Sequence, residues 1–161
     1  MAYEFYVTVN GTKQGKFKGE TIRAKHKGKI TGLRFYYEVK SPRDSASGQA
    51  TGKRTHQPVT FVKQWGPASP QFFQALTTNE ILKSVLFEFM HSDGNGAEQI
   101  FHSILLTNAS VCNYKAYLEI PTDSASLNVP ELEEISLTFQ RIEIESKTGK
   151  TMAVDDWSQR T

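Results

Sequence analysis

The sequence has only one cysteine and no long apolar run. Cys112 cannot close a disulfide within the chain, which favours folding in a reducing cytoplasm. No stretch of about eighteen apolar residues exists, and the first ten residues alternate polar with apolar side chains. We therefore expect no stable membrane insertion and no cleaved signal peptide. If the protein is exported, we expect it to leave the cytoplasm by a signal-free route.

The sequence also lacks the motifs of common catalytic, metal and nucleotide sites. Its four histidines stand at no recognised metal-ligand spacing. Gly52-Lys53 lacks the earlier glycine and the following Ser or Thr of a phosphate-binding loop, and Gly94-x-Gly96 lies between two predicted strands, as a hairpin turn would. Cys112 has no local signature of an activated nucleophile. We predict no cofactor, no metal and no catalytic residue, and therefore no enzyme.

Charge is divided unevenly along the chain. Residues 1–65 hold 13 Lys and Arg against 4 Asp and Glu, a net of +9, whereas residues 66–161 hold 6 against 13, a net of −7. The two halves either neutralise each other within the fold or present opposite faces to neighbouring copies, and head-to-tail contacts of that kind lead to rings or filaments. The net charge of +2 is small for a nucleic-acid-binding β-barrel, so we expect no nucleic-acid partner.

Alternating apolar residues predict a mainly β chain. Strands are predicted at residues 3–9, 30–40, 59–62 and 81–90, and another from residue 99 to 107 that continues toward Glu119. Between residues 30 and 40 the alternation turns Leu33, Phe35, Tyr37 and Val39 toward the core. Asp93 to Gly96 forms a hairpin turn. The one helix signal has Ser69 as its N-cap and Pro70 as its first residue.

Two segments depart from this regular pattern. Ser41 to Gln57, called the arm below, has turn residues and no large apolar side chain, which predicts a long functional loop. Glu131 to Glu145 forms the last predicted strand, after a loop at residues 121–130. Its apolar phase reverses near Gln140-Arg141, which predicts a bulge, a bend or a change of sheet.

Six blocks in order resemble the haemolysin-coregulated protein (Hcp) family. Together they span nearly the whole chain: TGKRTHQPVTFVK (residues 51–63), SPQFFQAL (69–76), SVLFEF (84–89), LTNA (106–109), ELEEISLTF (131–139) and DDW (155–157).

The resemblance implies a single domain over residues 1–161. Two packed antiparallel β-sheets would form a β-barrel-like body with one short flanking α-helix and a long extended loop. Six copies would close into a ring, and rings would stack into the hollow inner tube of the type VI secretion system. Such a tube assembles inside a sheath, behind a spike protein, and is expelled with effector proteins in its lumen or at its tip.

The same resemblance gives the arm and one strand their roles. The strand around Arg34 would border the lumen, with Arg34, Tyr36 and Glu38 as candidate effector contacts. The arm would contact the next ring, and its candidate stacking residues are Ser41, Pro42, Arg43, Asp44, Ser47, Gly48, Gly52 and Lys53.

The residues themselves leave two further possibilities. Adjacent carboxylates on a strand face opposite ways, so Glu133 and Glu134 are interpreted as subunit-interface residues that meet a basic neighbour, instead of an acid–base pair. The alternative to a tube subunit is a monomeric β-sandwich that binds carbohydrate or peptide through exposed aromatics such as Trp65 and Tyr36.

Overall fold

A computed structural model describes residues 3–21, 26–120 and 131–157. These residues form antiparallel β-sheets with one α-helix, as predicted. The loop expected at residues 121–130 lies outside the described residues. The elements are β1 (Tyr3–Gly11), β2 (Gly15–Lys16), β3 (Ile30–Gly32), β4 (Arg34–Tyr36), β5 (Val39–Lys40), β6 (Thr55–His56), β7 (Val59–Gln64), α1 (Ser69–Thr77), β8 (Leu82–Ser92), β9 (Glu98–Leu118), β10 (Glu131–Thr138), β11 (Arg141–Ser146) and β12 (Thr151–Asp156).

Strand β9 belongs to both sheets of the body. Its first half pairs with β8 and β11, and β12 and β1 extend that first sheet at either side. Its second half pairs with β10, and β7 and β4 complete the second sheet. Buried side chains from both sheets, including Val7, Phe61 and Leu137, form one core. The described strands follow an open path from β2 to β4, so they do not close into a barrel.

The chain crosses from one sheet to the other at two facing corners. Asn108 in β9 has a φ of 51°, a left-handed conformation that Asn tolerates better than most residues. The side-chain Nδ2 of Asn108 donates to Oε1 of Gln140 over 2.9 Å, and the backbone N–H of Gln140 donates to the carbonyl of Thr107 over 3.1 Å. The apolar phase reversal near Gln140 is therefore a change of sheet, because β10 and β11 pair with different halves of β9.

The predicted strand at residues 30–40 is wrong as a single element. At Gly32, where a Cβ would lie 1.9 Å from the Phe5 ring, the chain leaves β1, and the Leu33 amide donates to the carbonyl of Val62 in the second sheet. Leu33 and Val39 are consequently 53% and 47% exposed, whereas Phe35 packs on the core as predicted. The last predicted strand, Glu131 to Glu145, is likewise divided into β10 and β11. Strand β12 was not predicted.

Helix α1 covers one end of the core. Phe72 and Ala75 are buried, and the Phe72 ring meets Phe61 edge to face at 5.8 Å. The helix begins where predicted, with proline in its first turn, but its N-cap is Ala68. Ser69 does not cap because its hydroxyl is bonded to Glu133 of β10, as described below.

Candidate assembly surface

The arm is an ordered hairpin instead of a structureless loop. Its base is the two-stranded pair β5–β6, where Val39 lies opposite His56, and a single bridge joins Arg43 to Ala50 farther out. Between residues 41 and 53 every residue is exposed. Backbone hydrogen bonds within the hairpin give this exposed segment a defined shape, which a surface for another molecule requires.

The tip of the arm is a turn built around Asp44. Its carboxylate accepts from the Ala46 amide at 3.1 Å and from the Ser47 hydroxyl at 2.8 Å. These two bonds, the first above all, lower the pKa of Asp44. Gly48 has a φ of 73°, a left-handed conformation that favours glycine. Of the predicted stacking residues, Asp44, Ser47 and Gly48 therefore form the turn itself.

The remaining predicted stacking residues line the sides of the hairpin. Arg43 and Lys53 are exposed cations, and Gly52 packs near the Pro42 ring, which a Cβ would approach to 3.3 Å. An open cleft of about 600 Å³ lies at the base of the arm, and it is lined by Lys40, Ser41, Pro42, Thr55 and Gln57. The exposed surface of the arm is thus basic and polar.

Four residues join the arm to the body, and we call them the latch: Tyr37, Arg54, His56 and Asp155. Arg54 makes a two-pronged contact with Asp155, in which Nε donates to Oδ2 and NH2 donates to Oδ1. The Oδ2 atom also lies 2.6 Å from Nε2 of His56, whose Nδ1 is bonded to the Tyr37 hydroxyl. One carboxylate on β12 thereby contacts both Arg54 and His56 on the returning side of the arm.

Aromatic rings enclose the latch histidine. His56 is 8% exposed, and its ring lies 5.1 Å from Trp157, 5.4 Å from Phe139 and 6.1 Å from Tyr37 between centroids. This cover removes water from one side of the hydrogen bonds and so strengthens them.

The latch shifts the pKa values of its acidic members in opposite directions. Hydrogen bonding from Arg54, with a smaller contribution from His56, holds the pKa of Asp155 below its ordinary value of 3.8. Burial, and then the negative charge of Asp155, raises the pKa of Tyr37. Asp155 is therefore ionised and Tyr37 neutral at physiological pH.

The three predicted lumen residues lie at the edge of the second sheet. Arg34 and Tyr36 are exposed on edge strand β4, and Glu38 is exposed just beyond it. The Tyr36 hydroxyl donates to Oε1 of Glu134 over 3.1 Å across the outer face of that sheet. Register places Arg34 and Glu134 on either side of Val62, so this outer face carries both charges.

The predicted interface pair divides between the two faces of β10. Glu134 lies on the outer face. Glu133 is 0% exposed, and its Oε1 lies 2.6 Å from Nζ of Lys63, which is also 0% exposed. The Glu133 side chain is therefore enclosed within one chain, whereas Glu134 shares the outer face with Tyr36.

The buried pair fastens α1 to the second sheet. Glu133 Oε1 also accepts from the Ser69 hydroxyl at 2.7 Å, and Oε2 accepts from the Tyr114 hydroxyl. Burial, together with the hydrogen bond to Glu133, raises the pKa of Tyr114 to about 12. Lys63 Nζ donates in addition to the Gln64 carbonyl at 2.8 Å. The pair is satisfied within one chain.

The uneven charge of the two halves is partly neutralised inside the molecule. Three ion pairs between described residues join a cation of the first half to a carboxylate of the second: Lys29–Glu88, Arg54–Asp155 and Lys63–Glu133. The contacts His26–Glu98 and His56–Asp155 do the same when the histidines are charged. This favours the interpretation in which the two halves neutralise each other within the fold.

No group of three or more potential metal ligands occurs among the described residues. Gly94 and Gly96 lie in the β8–β9 hairpin turn, as predicted. Burial raises the pKa of Cys112, which favours the unreactive thiol. Within the described part of the chain, no helix is long and apolar enough to cross a membrane.

Sequence reasoning identified the arm and missed what holds it. The latch joins residues 99 to 101 positions apart, and the buried pair joins residues 70 apart. No periodic or local signal marks such pairs. The sequence blocks 51–63 and 155–157 contain most of the latch, but nothing in them shows that they meet.

The sequence of this chain is similar to those of known proteins. A family model described as "Type VI secretion system effector, Hcp" matches residues 6–145. The Major exported protein of Pseudomonas aeruginosa strain PAO1 is 30% identical over 166 residues, which cover 98% of this chain and 96% of that protein.

Solved structures share the fold. A crystal structure of an Hcp protein superposes with a TM-score of 0.92 at 23% identity, covering 99% of this chain and 100% of that one. Hcp1 from E. coli EAEC 042 gives 0.85 at 24% identity, covering 97% and 99%, and the secreted protein Hcp3 from Pseudomonas aeruginosa gives 0.79 at 24%, covering 98% and 100%. The chain belongs to the Hcp family of type VI secretion system proteins.

Proposed function

We propose that this protein is a structural, non-enzymatic subunit of the type VI secretion tube, in which six copies form a ring and rings stack. The observation that carries the proposal is the arm: an exposed hairpin with an ordered tip, fixed to the body by the latch, in a chain of the Hcp family. An exposed hairpin of this kind suits contact with another molecule, because its shape is set before contact and little conformational entropy is then lost.

The arm is the proposed contact with the next ring. Arg43 and Lys53 would meet acidic groups there, while Asp44, Ser47 and Gly48 maintain the turn that presents them. Pro42, Ser41 and Gly52 complete the hairpin surface. The partner in this contact is a second copy of the chain, and the sheath and the spike protein are partners of the assembled tube.

The outer face of the second sheet is the proposed lumen wall. Tyr36 offers a half-exposed ring, and Arg34 and Glu38 offer opposite charges beside it. A face of mixed polarity can hold a folded effector without a deep pocket. The protein would then be made in the cytoplasm, assembled there and exported with the tube. The name of the Pseudomonas relative, Major exported protein, describes that protein as exported.

Electron microscopy of negatively stained protein tests this proposal. Rings with a central opening are expected, together with stacks at high concentration. Deleting residues 47–52 removes most of the arm's tip and leaves the latch in place, so we expect folded rings that no longer stack. A field of monomer-sized particles at high concentration would contradict the tube role, and loss of the far-ultraviolet circular dichroism signal in the deletion variant would contradict the arm's independence from the core.

The binding-module alternative has less support. The ring nitrogen of Trp65 donates to the Leu132 carbonyl over 2.8 Å, and the Tyr36 hydroxyl is bonded to Glu134. The polar tips of both candidate ligand-binding aromatics are therefore already engaged within the chain.

A further inference from the structure

Strand β12 is an edge strand that is exposed over most of its length. Among the described strands it pairs only with β11, and its residues 151–154 are all exposed, with Met152 63% exposed and Val154 44% exposed. Asp155 and Asp156 are the residues of this strand that lie partly buried. The end of the strand is held by its pairing with β11, by the Trp157 backbone amide, which donates to the Gln140 carbonyl over 2.9 Å, and by the side-chain contacts of Asp155.

The arm has no strand pairing with the sheets of the body among the described residues. Its base consists of two residue pairs in a small sheet of its own, separate from the sheets of the body. The Gln57 amide donates to the Glu38 carbonyl over 2.9 Å, a contact within the same hairpin. Apart from the chain connections at either end, the contacts that fix the direction of the arm relative to the body are those of Arg54 and His56.

Asp155 is where the edge strand β12 and the arm meet. A guanidinium that donates two parallel bonds to a carboxylate is fixed in direction as well as in distance. Arg54 NH2 also donates to the Asp156 carbonyl at 3.3 Å, so the backbone of β12 shares the contact. Nε2 of His56 contacts the same Oδ2 atom from a second direction, and Nδ1 of His56 is bonded to the Tyr37 hydroxyl.

We infer that Asp155 is a positioning residue for the arm: the C-terminal strand sets the direction in which the hairpin projects, through Arg54 and His56, and the arm in return holds the end of that strand in place. The coupling is reciprocal, because the same hydrogen bonds order both segments. Its consequence for stacking rests on the proposed function, since a correctly directed arm is what the next ring would meet. The positioning itself does not require that function.

Limited trypsin digestion of the full chain tests the positioning directly. Trypsin cleaves after Lys40, Arg43, Lys53 and Arg54, so the cleavage rate within the arm reports its order. Asp155→Asn and Asp155→Ala remove the negative charge that Arg54 and His56 both contact. We expect each to raise the rate at least about tenfold, which corresponds to about 1.4 kcal/mol.

Two further variants make the test specific. Tyr37→Phe removes only the outermost hydrogen bond of the latch, and we expect it to raise arm cleavage about twofold to threefold, because a neutral hydrogen bond contributes less than a charge-assisted one. It also keeps the test valid if Asp155→Ala does not fold. The matched control is Glu145→Gln in β11, the strand next to β12. It removes an ion pair with Lys147 in the turn that follows β11 and should leave arm cleavage unchanged.

Oligomer mass and stacking are measured on the same samples. We expect the Asp155 variants to retain the ring mass and to lose stacks. Wild-type cleavage rates in all folded latch variants would overturn the positioning role. Faster cleavage with undiminished stacking would overturn its consequence for assembly. Absence of rings in the wild-type protein would overturn the proposed function alone, because the cleavage rates would still report on the latch.

Discussion

Removing the charge of Glu133 should destabilise the fold far more than the same change at its neighbour Glu134. Glu133 is fully buried against the Lys63 ammonium at 2.6 Å, so Glu133→Gln leaves a cation in the core without its counter-ion. Breaking a buried pair from one side costs about 3 to 5 kcal/mol. Glu134 lies on the outer face, where it accepts from the hydroxyl of the half-exposed Tyr36, and Glu134→Gln should change the free energy of unfolding by less than about 0.5 kcal/mol.

Thermal unfolding measures the difference. For a chain of this size, 1 kcal/mol corresponds to about 2 to 4 °C in Tm, so Glu133→Gln should lower Tm by about 6 to 20 °C and Glu134→Gln by about 2 °C at most. All variants are compared at one protein concentration, because association makes Tm concentration-dependent.

A double variant separates the ion pair from general disturbance of the core. Adding Lys63→Met to Glu133→Gln removes the orphaned ammonium, while the Gln amide oxygen can still accept from Ser69 or Tyr114. We expect at least half of the lost stability to return. If Glu133→Gln proves no more destabilising than Glu134→Gln, the buried pair is not as the structure places it and the reasoning fails.

Two further predictions concern the arm. Gly48→Ala should destabilise the turn by about 1 to 2 kcal/mol, because the backbone at this glycine is left-handed. The added Cβ would meet no neighbour, so the cost comes from the backbone conformation alone. Trypsin should therefore cleave the arm faster than in the control Gly94→Ala, where φ is not positive. Equal rates would contradict the turn. Because the pKa of Asp155 is lowered on folding, its stabilisation of the arm is complete above the unfolded pKa near 3.8 and is lost as pH falls through the folded value. Hydrogen exchange of the Gln57 amide should therefore accelerate, relative to its intrinsic rate, at acid pH in the wild type and show no such transition in Asp155→Asn; identical profiles would refute the linkage.

The sequence pattern predicted elements whose own residues carry the signal. The reversal of apolar phase near Gln140 predicted a bulge, a bend or a change of sheet, because each half of that segment must bury its own face, and the structure has the change of sheet. The hairpin turn at residues 93–96 and the proline at the start of α1 were also visible locally.

Elements defined by distant partners were not predictable in this way. The strand expected at residues 30–40 divides because Gly32 packs on Phe5 and the chain then pairs with β7. Strand β12 was missed because its first four residues are exposed and carry no buried alternation. The Asp155 carboxylate resembles any acidic C-terminal residue until the fold brings it to Arg54.

The interface prediction for Glu133 and Glu134 shows the same limit. Alternation along β10 correctly placed the two carboxylates on opposite faces. It did not show that the inward face meets Lys63, because β7 and β10 become neighbours only in the folded sheet. Sequence therefore distinguished the two faces, and the structure shows that Glu133 is buried within one chain while Glu134 lies on the outer face.

Absolute mass by light scattering coupled to size exclusion, across a series of protein concentrations, tests the central claim most directly. If the chain is a tube subunit, the main species should have a mass near six times the 18.1 kDa of one chain, with larger species as concentration rises. A constant mass near 18.1 kDa at every concentration would contradict it.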